Sequence, residues 1–233
     1  MDRSLIDRIA ENLAGVRARI DGAATRAGRT SKDVTLVAIS KTFGADVCRD
    51  AIAAGVTDLG ENRAGELKEK VETLGEDARW HFVGHLQSNK VRDVVGVAAL
   101  IHSIDRLGVA EAVAKRARAL GITQEVLIEV NVAREPAKHG IDPGEAVRLA
   151  AEMAELDGLA LRGLMTMTPL PETPKDSRPH FKALADLLPE VRAVVPEAVH
   201  LSMGMSRDFE VAIEEGATMV RVGEAIFGSR THR

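Results

Sequence analysis

Lys41 stands directly after VTLVAIS (34–40), a short apolar run rich in β-branched residues. Such a run reads as a strand of a buried parallel sheet, which puts the lysine at a strand end. Partial desolvation there disfavours the ammonium and frees the amine to condense with an aldehyde. A surface lysine that merely follows a strand fits the position equally well. Two glycine-bearing segments bear on the choice. Ser202-Met203-Gly204-Met205-Ser206 sets a small residue between hydroxyls, ahead of a helical pattern, and Gly223 follows the run MVRV. Backbone N–H groups at both places can cradle a dianion. Each alone is also a tight turn that needs glycine. Together with Lys41 they point to a phosphorylated aldehyde.

Arg221 shares strand parity with Met219 and Gly223 and is expected to point inward. A buried guanidinium needs acceptors, and a pyridine nitrogen of the ligand or an internal salt bridge would serve. His81 and His85 are four apart, but Gly84 and their strand-to-loop setting deny them the helical face of a zinc pair, and no third ligand is evident. No metal site is expected. Asn89, Lys90 and Arg92 read as a solvated helix face, and Glu135, Lys138 and Gly140 as a loop over the site.

These residues need elements to hold them. An amphipathic helix over 3–27 carries Leu5, Ile9, Leu13, Val16 and Ile20 on one stripe. Strands are predicted at 34–40, 56–59, 80–83, 98–102, 125–131, 160–165, 199–202 and 218–222. Helices are predicted between them, near 46–54, 63–74, 87–95, 106–119, 144–155, 178–194 and 207–215. Alternation of this kind implies a parallel sheet. Eight strands without a composition break favour an α/β fold closed as a (β/α)₈ TIM barrel, one domain over 1–233, with an extra N-terminal helix. The proline-rich stretch 168–179 reads as a long loop after strand six. In such barrels chemistry sits at the C-terminal strand ends, and there Lys41, Asn62, His85, Ser202–Ser206 and Gly223 converge.

Composition narrows the classes. An apolar share of 45% and a charged share of 28% are those of an ordinary soluble globular chain. Net charge is −4 without a like-charge block, so nucleic acid is not an expected partner. No apolar run approaches a membrane span, the N-terminus lacks a signal-peptide core, and the single Cys48 argues for a reducing compartment. A cytoplasmic protein is the expectation.

The segments LVAISKT (36–42), GEN (60–62), WHFVGHLQSNKVR (80–92), HSID (102–105), VLIEVN (126–131), RGLMTM (162–167) and LSMGMSRDFEVAIEEGATMVRVGEAIFGSR (201–230) span nearly the whole chain. In them the sequence resembles the pyridoxal phosphate homeostasis proteins, relatives of the alanine racemase N-terminal barrel. The resemblance implies a fold-type III barrel that holds pyridoxal 5′-phosphate (PLP) as a Schiff base on Lys41. It implies phosphate contacts from Ser206 and the backbone at Gly223, with Ser202 near the phosphate side. It further implies Arg221 near the pyridine nitrogen and Asn62, Met203 and Gly204 around the cofactor. Arg63 stands where the family often has tyrosine, and Glu224 where a small hydroxyl residue commonly follows Gly223. A carboxylate beside a phosphate is unfavourable, so the backbone has to suffice there.

Two-base racemisation needs a proton donor on each face of the substrate. In alanine racemase, as the resemblance implies, the second base is a tyrosine from an additional domain, and this sequence contains no tyrosine. An arginine at the ring nitrogen also weakens the ring as an electron sink. The expectation is a non-catalytic PLP-binding protein of vitamin B6 homeostasis that passes PLP to apoenzymes. It is expected to be monomeric, as family members often are. A PLP-dependent racemase of narrow substrate range and a Schiff-base aldolase without PLP are the alternatives.

Overall fold

The computed structural model describes residues 4–136 and 138–228. Eight parallel strands close into a barrel in sequence order: β1 (Thr35–Ile39), β2 (Asp58–Glu61), β3 (Arg79–Phe82), β4 (Leu100–Ile104), β5 (Gln124–Glu129), β6 (Leu159–Met165), β7 (His200–Ser202) and β8 (Met219–Val222). β8 pairs back onto β1, with Thr35 opposite Met219 and Ala38 opposite Val222. The strands alternate with α2 (Ala45–Ala53), α3 (Ala64–Leu74), α4 (Val91–Val94), α5 (Leu107–Ala119), α6 (Ala146–Ala154), α7 (Arg178–Val194) and α8 (Phe209–Glu214). Both the α/β class and the closed (β/α)₈ architecture are as expected.

Period explains the layering. Strand residues of one parity face the helices, where Ala38, Leu59, Phe82, Ile101, Val126, Ile128, Leu164 and Val220 join the large outer core. Residues of the other parity face inward, and Leu100, Leu127, Met165 and Met219 fill the barrel axis as a separate small core. The inner layers above and around them are polar: His81, His102, Ser202, Glu129 and Arg221 are all buried. An apolar plug with buried polar groups around it is costly unless every group finds a partner.

The N-terminal helix α1 (Leu5–Arg26) is capped by Ser4, whose hydroxyl accepts from the Asp7 N–H. Its stripe Ile9, Leu13, Val16 and Ile20 is buried against α2, α8 and a short last helix, α9 (Glu224–Phe227). Asn12 Nδ2 donates to the Ile226 carbonyl at 2.9 Å, so α1 braces the turn that starts at Gly223. The helix expected near 87–95 is instead a 3₁₀ turn at Ser88–Lys90 followed by the single turn α4. Gly96, at φ +82°, ends it in a conformation that other residues rarely adopt. No described helix is long and apolar enough to cross a membrane.

Candidate functional site

A cavity of about 570 Å³ opens at the C-terminal mouth of the barrel. Lys41, Asn62, Ser206, Arg221 and Gly223 all line it. Of the other residues singled out from the sequence, Ser202, Met203 and Gly204 are buried behind this wall. Gly204, at φ +91°, lies so close to α8 that a Cβ would stand 2.6 Å from Ala212 Cβ. Its carbonyl accepts from the Arg221 N–H at 3.0 Å, which ties the β7 loop to β8.

Lys41 sits on a strained turn. Thr42, a β-branched residue, has φ +74°, a conformation that persists only where the surroundings impose it. The Thr42 N–H donates to Glu66 Oε2 at 3.1 Å, while Glu66 Oε1 accepts from the exposed Arg63 at 3.1 Å. Beneath the turn lies a buried ionic cluster. Ser40 Oγ donates to Glu61 Oε1 at 2.6 Å, and Lys70 Nζ donates to the same oxygen and, at 3.0 Å, to the Ser40 carbonyl. Burial raises the Glu61 carboxyl, against the pull of Lys70 and Ser40. The cluster joins the end of β1 to the end of β2, immediately before Lys41 and Asn62.

The dianion-binding corner is built from two loops. Ser206 Oγ accepts the Gly223 N–H at 3.3 Å, so a hydroxyl and a backbone amide stand together on the cavity wall. A Cβ on Gly223 would come within 3.2 Å of the Ile39 carbonyl, so glycine permits the close approach of β8 to β1 here. Buried Asp208 shapes the corner from behind. Its Oδ1 accepts from the Met205 N–H at 2.7 Å and its Oδ2 from Ser177 Oγ at 2.6 Å. The exposed Glu224 borders the same cavity.

Arg221 is fully enclosed on its inner side. Nη1 donates to Ser202 Oγ at 2.7 Å and Nη2 to the Thr166 carbonyl at 2.8 Å. Burial lowers its pKa to about 10, against the attraction of Glu129 and Asp208, so it stays a cation at neutral pH. Glu129, also on the cavity wall, is pushed up to about 7 by burial and by Asp105, with Arg221 pulling the other way.

His85 and His139 line the opening, with rings stacked at 3.9 Å and 10°. His85 Nδ1 lies 3.2 Å from Asp105 Oδ2, and burial keeps this imidazole below its ordinary pKa despite the carboxylate. The three side chains place ligand atoms within 4.8 Å of one another. Parallel rings, however, send their in-plane lone pairs side by side, so one ion could bind both only after a ring rotates.

Glu129, Asp208 and His139 belong to this site and were not singled out from the sequence. Glu129 was legible as a lone carboxylate in the apolar run VLIEV, on the inward parity of Leu127. Asp208 falls at the start of the helix predicted over 207–215, and only the fold brings Ser177 and Thr168 against it.

This geometry has relatives. The family model described as alanine racemase, N-terminal domain, matches residues 6–231. A pyridoxal phosphate homeostasis protein of Aquifex aeolicus is 45% identical over 224 residues, which are 95% of this chain and 98% of that one. Its namesake in Escherichia coli K12 is 42% identical over 229 residues, 96% of this chain and 97% of that one. PipY of Synechococcus elongatus PCC7942, solved with PLP bound, superposes with a TM-score of 0.83 at 34% identity, over 94% of this chain and 100% of that one. Alanine racemase of Corynebacterium glutamicum superposes at 0.73 with 16% identity, over 97% of this chain and 62% of that one, a likeness of fold alone.

Proposed function

This chain belongs to the pyridoxal phosphate homeostasis proteins, within the alanine racemase N-terminal domain family, and on that premise we propose that it binds PLP covalently through Lys41 and serves PLP homeostasis without efficient catalysis. The observation that carries the reading is one cavity that brings Lys41, the Ser206–Gly223 corner and Arg221 together. Lys41 Nζ would hold the aldehyde carbon. Ser206 Oγ and the Gly223 N–H would receive the phosphate, and Arg221 would face the ring nitrogen. Asn62 would border the ring at the mouth, with Met203, Gly204 and Ser202 shaping the wall from behind. When bound, PLP supplies an electrophilic carbon and an electron-accepting ring. A donor as basic as Arg221 keeps the ring nitrogen unprotonated and limits that electron acceptance. Delivery to PLP-requiring apoenzymes, by a monomer in the cytoplasm, completes the proposal.

Borohydride trapping after incubation with PLP, followed by peptide mass mapping, tests it. The mass increase should fall on Lys41 and vanish in Lys41→Ala, and modification at another lysine in the wild type overturns the assignment. A racemase is the second reading, favoured by His85, a neutral imidazole beside Asp105 on the cavity wall. Conversion of L-alanine and related amino acids to the D-form at about 1–10³ s⁻¹, lost in His85→Gln, would decide for it.

A further inference from the structure

A continuous hydrogen-bond chain runs through the barrel from Arg221 to Asp58. Arg221 Nη1 meets Ser202 Oγ at 2.7 Å, Ser202 Oγ meets His102 Nδ1 at 2.8 Å, His102 Nε2 meets His81 Nδ1 at 2.9 Å, and His81 Nε2 meets Asp58 Oδ1 at 3.0 Å. His81, His102, Ser202 and Arg221 are buried, and Asp58 borders a second cavity of about 350 Å³ lined also by Leu13, Arg17 and Lys32 of the N-terminal segments. Each link has good hydrogen-bond length.

With both imidazoles neutral, the two ends fix the direction of every link. A guanidinium can only donate, and an ionised carboxylate can only accept. Asp58 is held ionised: burial alone would raise its pKa, but hydrogen bonds from His81 and Thr57 and the charge of Arg79 bring it below the ordinary value. Between such ends, His81 carries its proton on Nε2 and offers Nδ1 as an acceptor. His102 does the same, and Ser202 donates to His102 while accepting from Arg221. In this arrangement each imidazole carries a single proton. For His102 this agrees with its environment, since burial first, with the positive charge of Arg221 beside it, holds it well below the usual histidine range. Every dipole in the chain points its negative end at Arg221.

We propose that Asp58, His81, His102 and Ser202 form a one-way relay that locks Arg221 in place as a cationic donor facing the ring nitrogen of the cofactor. All four are positioning residues, because none of them reaches the cavity that Lys41 lines. The inference rests on the PLP reading for its consequence, but the relay itself does not. Other charged groups around the chain are Glu129 and Asp208 near Arg221, and His200 and Arg79 near His102. Arg79 adds positive charge on the histidine side and reinforces the neutral state of His102, burial holds His200 below the ordinary histidine value, and Glu129 and Asp208 favour the Arg221 cation.

Long-range ¹H–¹⁵N spectra of the cofactor-free protein test the relay directly. His81 and His102 should both appear as neutral Nε2–H tautomers. Either ring found as the Nδ1–H tautomer or as an imidazolium overturns the chain. Three variants test the consequence with PLP labelled at the ring nitrogen. His102→Gln keeps one acceptor and one donor, whereas His102→Phe fills the space without relaying. If the relay positions Arg221, His102→Phe and Ser202→Ala should move the ring-nitrogen shift and weaken PLP binding about tenfold, with His102→Gln restoring both. A packing role alone predicts the reverse order, Phe better than Gln, and that order sinks the proposal. Should His102→Phe fail to fold, Ser202→Ala and the wild-type tautomers still decide. If the wild type takes up no PLP, the cofactor reading fails separately while the tautomers report on the relay.

Discussion

Lys70 Nζ donates to the Ser40 carbonyl at 3.0 Å, so a buried ammonium grips the peptide that leads into Lys41. The same ammonium is paired with Glu61, the residue before Asn62. One cation thus sets the relative position of two strand ends at the mouth of the barrel. It also explains why a charged residue on α3 is buried where the helix period calls for an apolar one.

Removing that cation should be expensive. Lys70→Met leaves the Glu61 carboxylate buried and unpaired, and the expected loss is about 3–5 kcal/mol in urea denaturation. The double variant Lys70→Met/Glu61→Leu should recover most of it, because no charge is then left to desolvate. Equal losses in the single and double variants would contradict this account.

Glu129 makes stability depend on pH. Its folded pKa of about 7 lies above the usual 4.5, so the folded state binds its proton more tightly than the unfolded state does. Stability from this group is therefore full below about pH 4.5 and falls as pH rises to about 7, by roughly 3 kcal/mol in all. Glu129→Gln should be close to wild type at pH 5 and more stable than wild type at pH 8. Denaturation midpoints at the two pH values measure the difference.

The Ser206 hydroxyl should matter twice. Ser206→Ala removes a donor to the phosphate and leaves the Gly223 N–H without its acceptor in the cofactor-free protein. A hydrogen bond to a charged group contributes about 1.5–3 kcal/mol, so PLP should bind roughly 10- to 100-fold more weakly by equilibrium dialysis. Trapping on Lys41 at saturating PLP should persist. Unchanged affinity would remove Ser206 from the phosphate site.

Gly84 is a steric necessity, not a turn. A Cβ there would stand 2.0 Å from the Asn62 carbonyl oxygen, and the obstacle is backbone that cannot swing aside. Ser103 Oγ donates to the Gly84 carbonyl and holds the segment from the other side. Gly84→Ala should cost about 1–3 kcal/mol and displace Asn62, visible as a lowered melting temperature and a shifted Asn62 amide resonance.

Much of this was legible in the amino-acid order, because local periodicity and strand-end position are local properties. The eight short strand runs, the inward parity of Arg221 and the placing of Lys41 at a strand end all follow from alternation and punctuation. The short α4 shows the limit of that method. Apolar spacing over 87–95 fits a helix, but the segment divides into a 3₁₀ turn and the single turn α4, and Gly96 at φ +82° ends it.

The order of residues alone was enough for the fold class, the inward parity of Arg221, and the lysine, hydroxyl and glycine residues that meet at the mouth. The pairings that give those residues their chemistry come from barrel closure. His81 and His102 lie 21 positions apart, and His102 and Ser202 lie 100 apart, yet barrel closure stacks them along one axis within hydrogen-bond reach. No spacing rule encodes such contacts, because they arise when separate strands contribute to the same interior layer. Burial then forces the polar groups to satisfy one another.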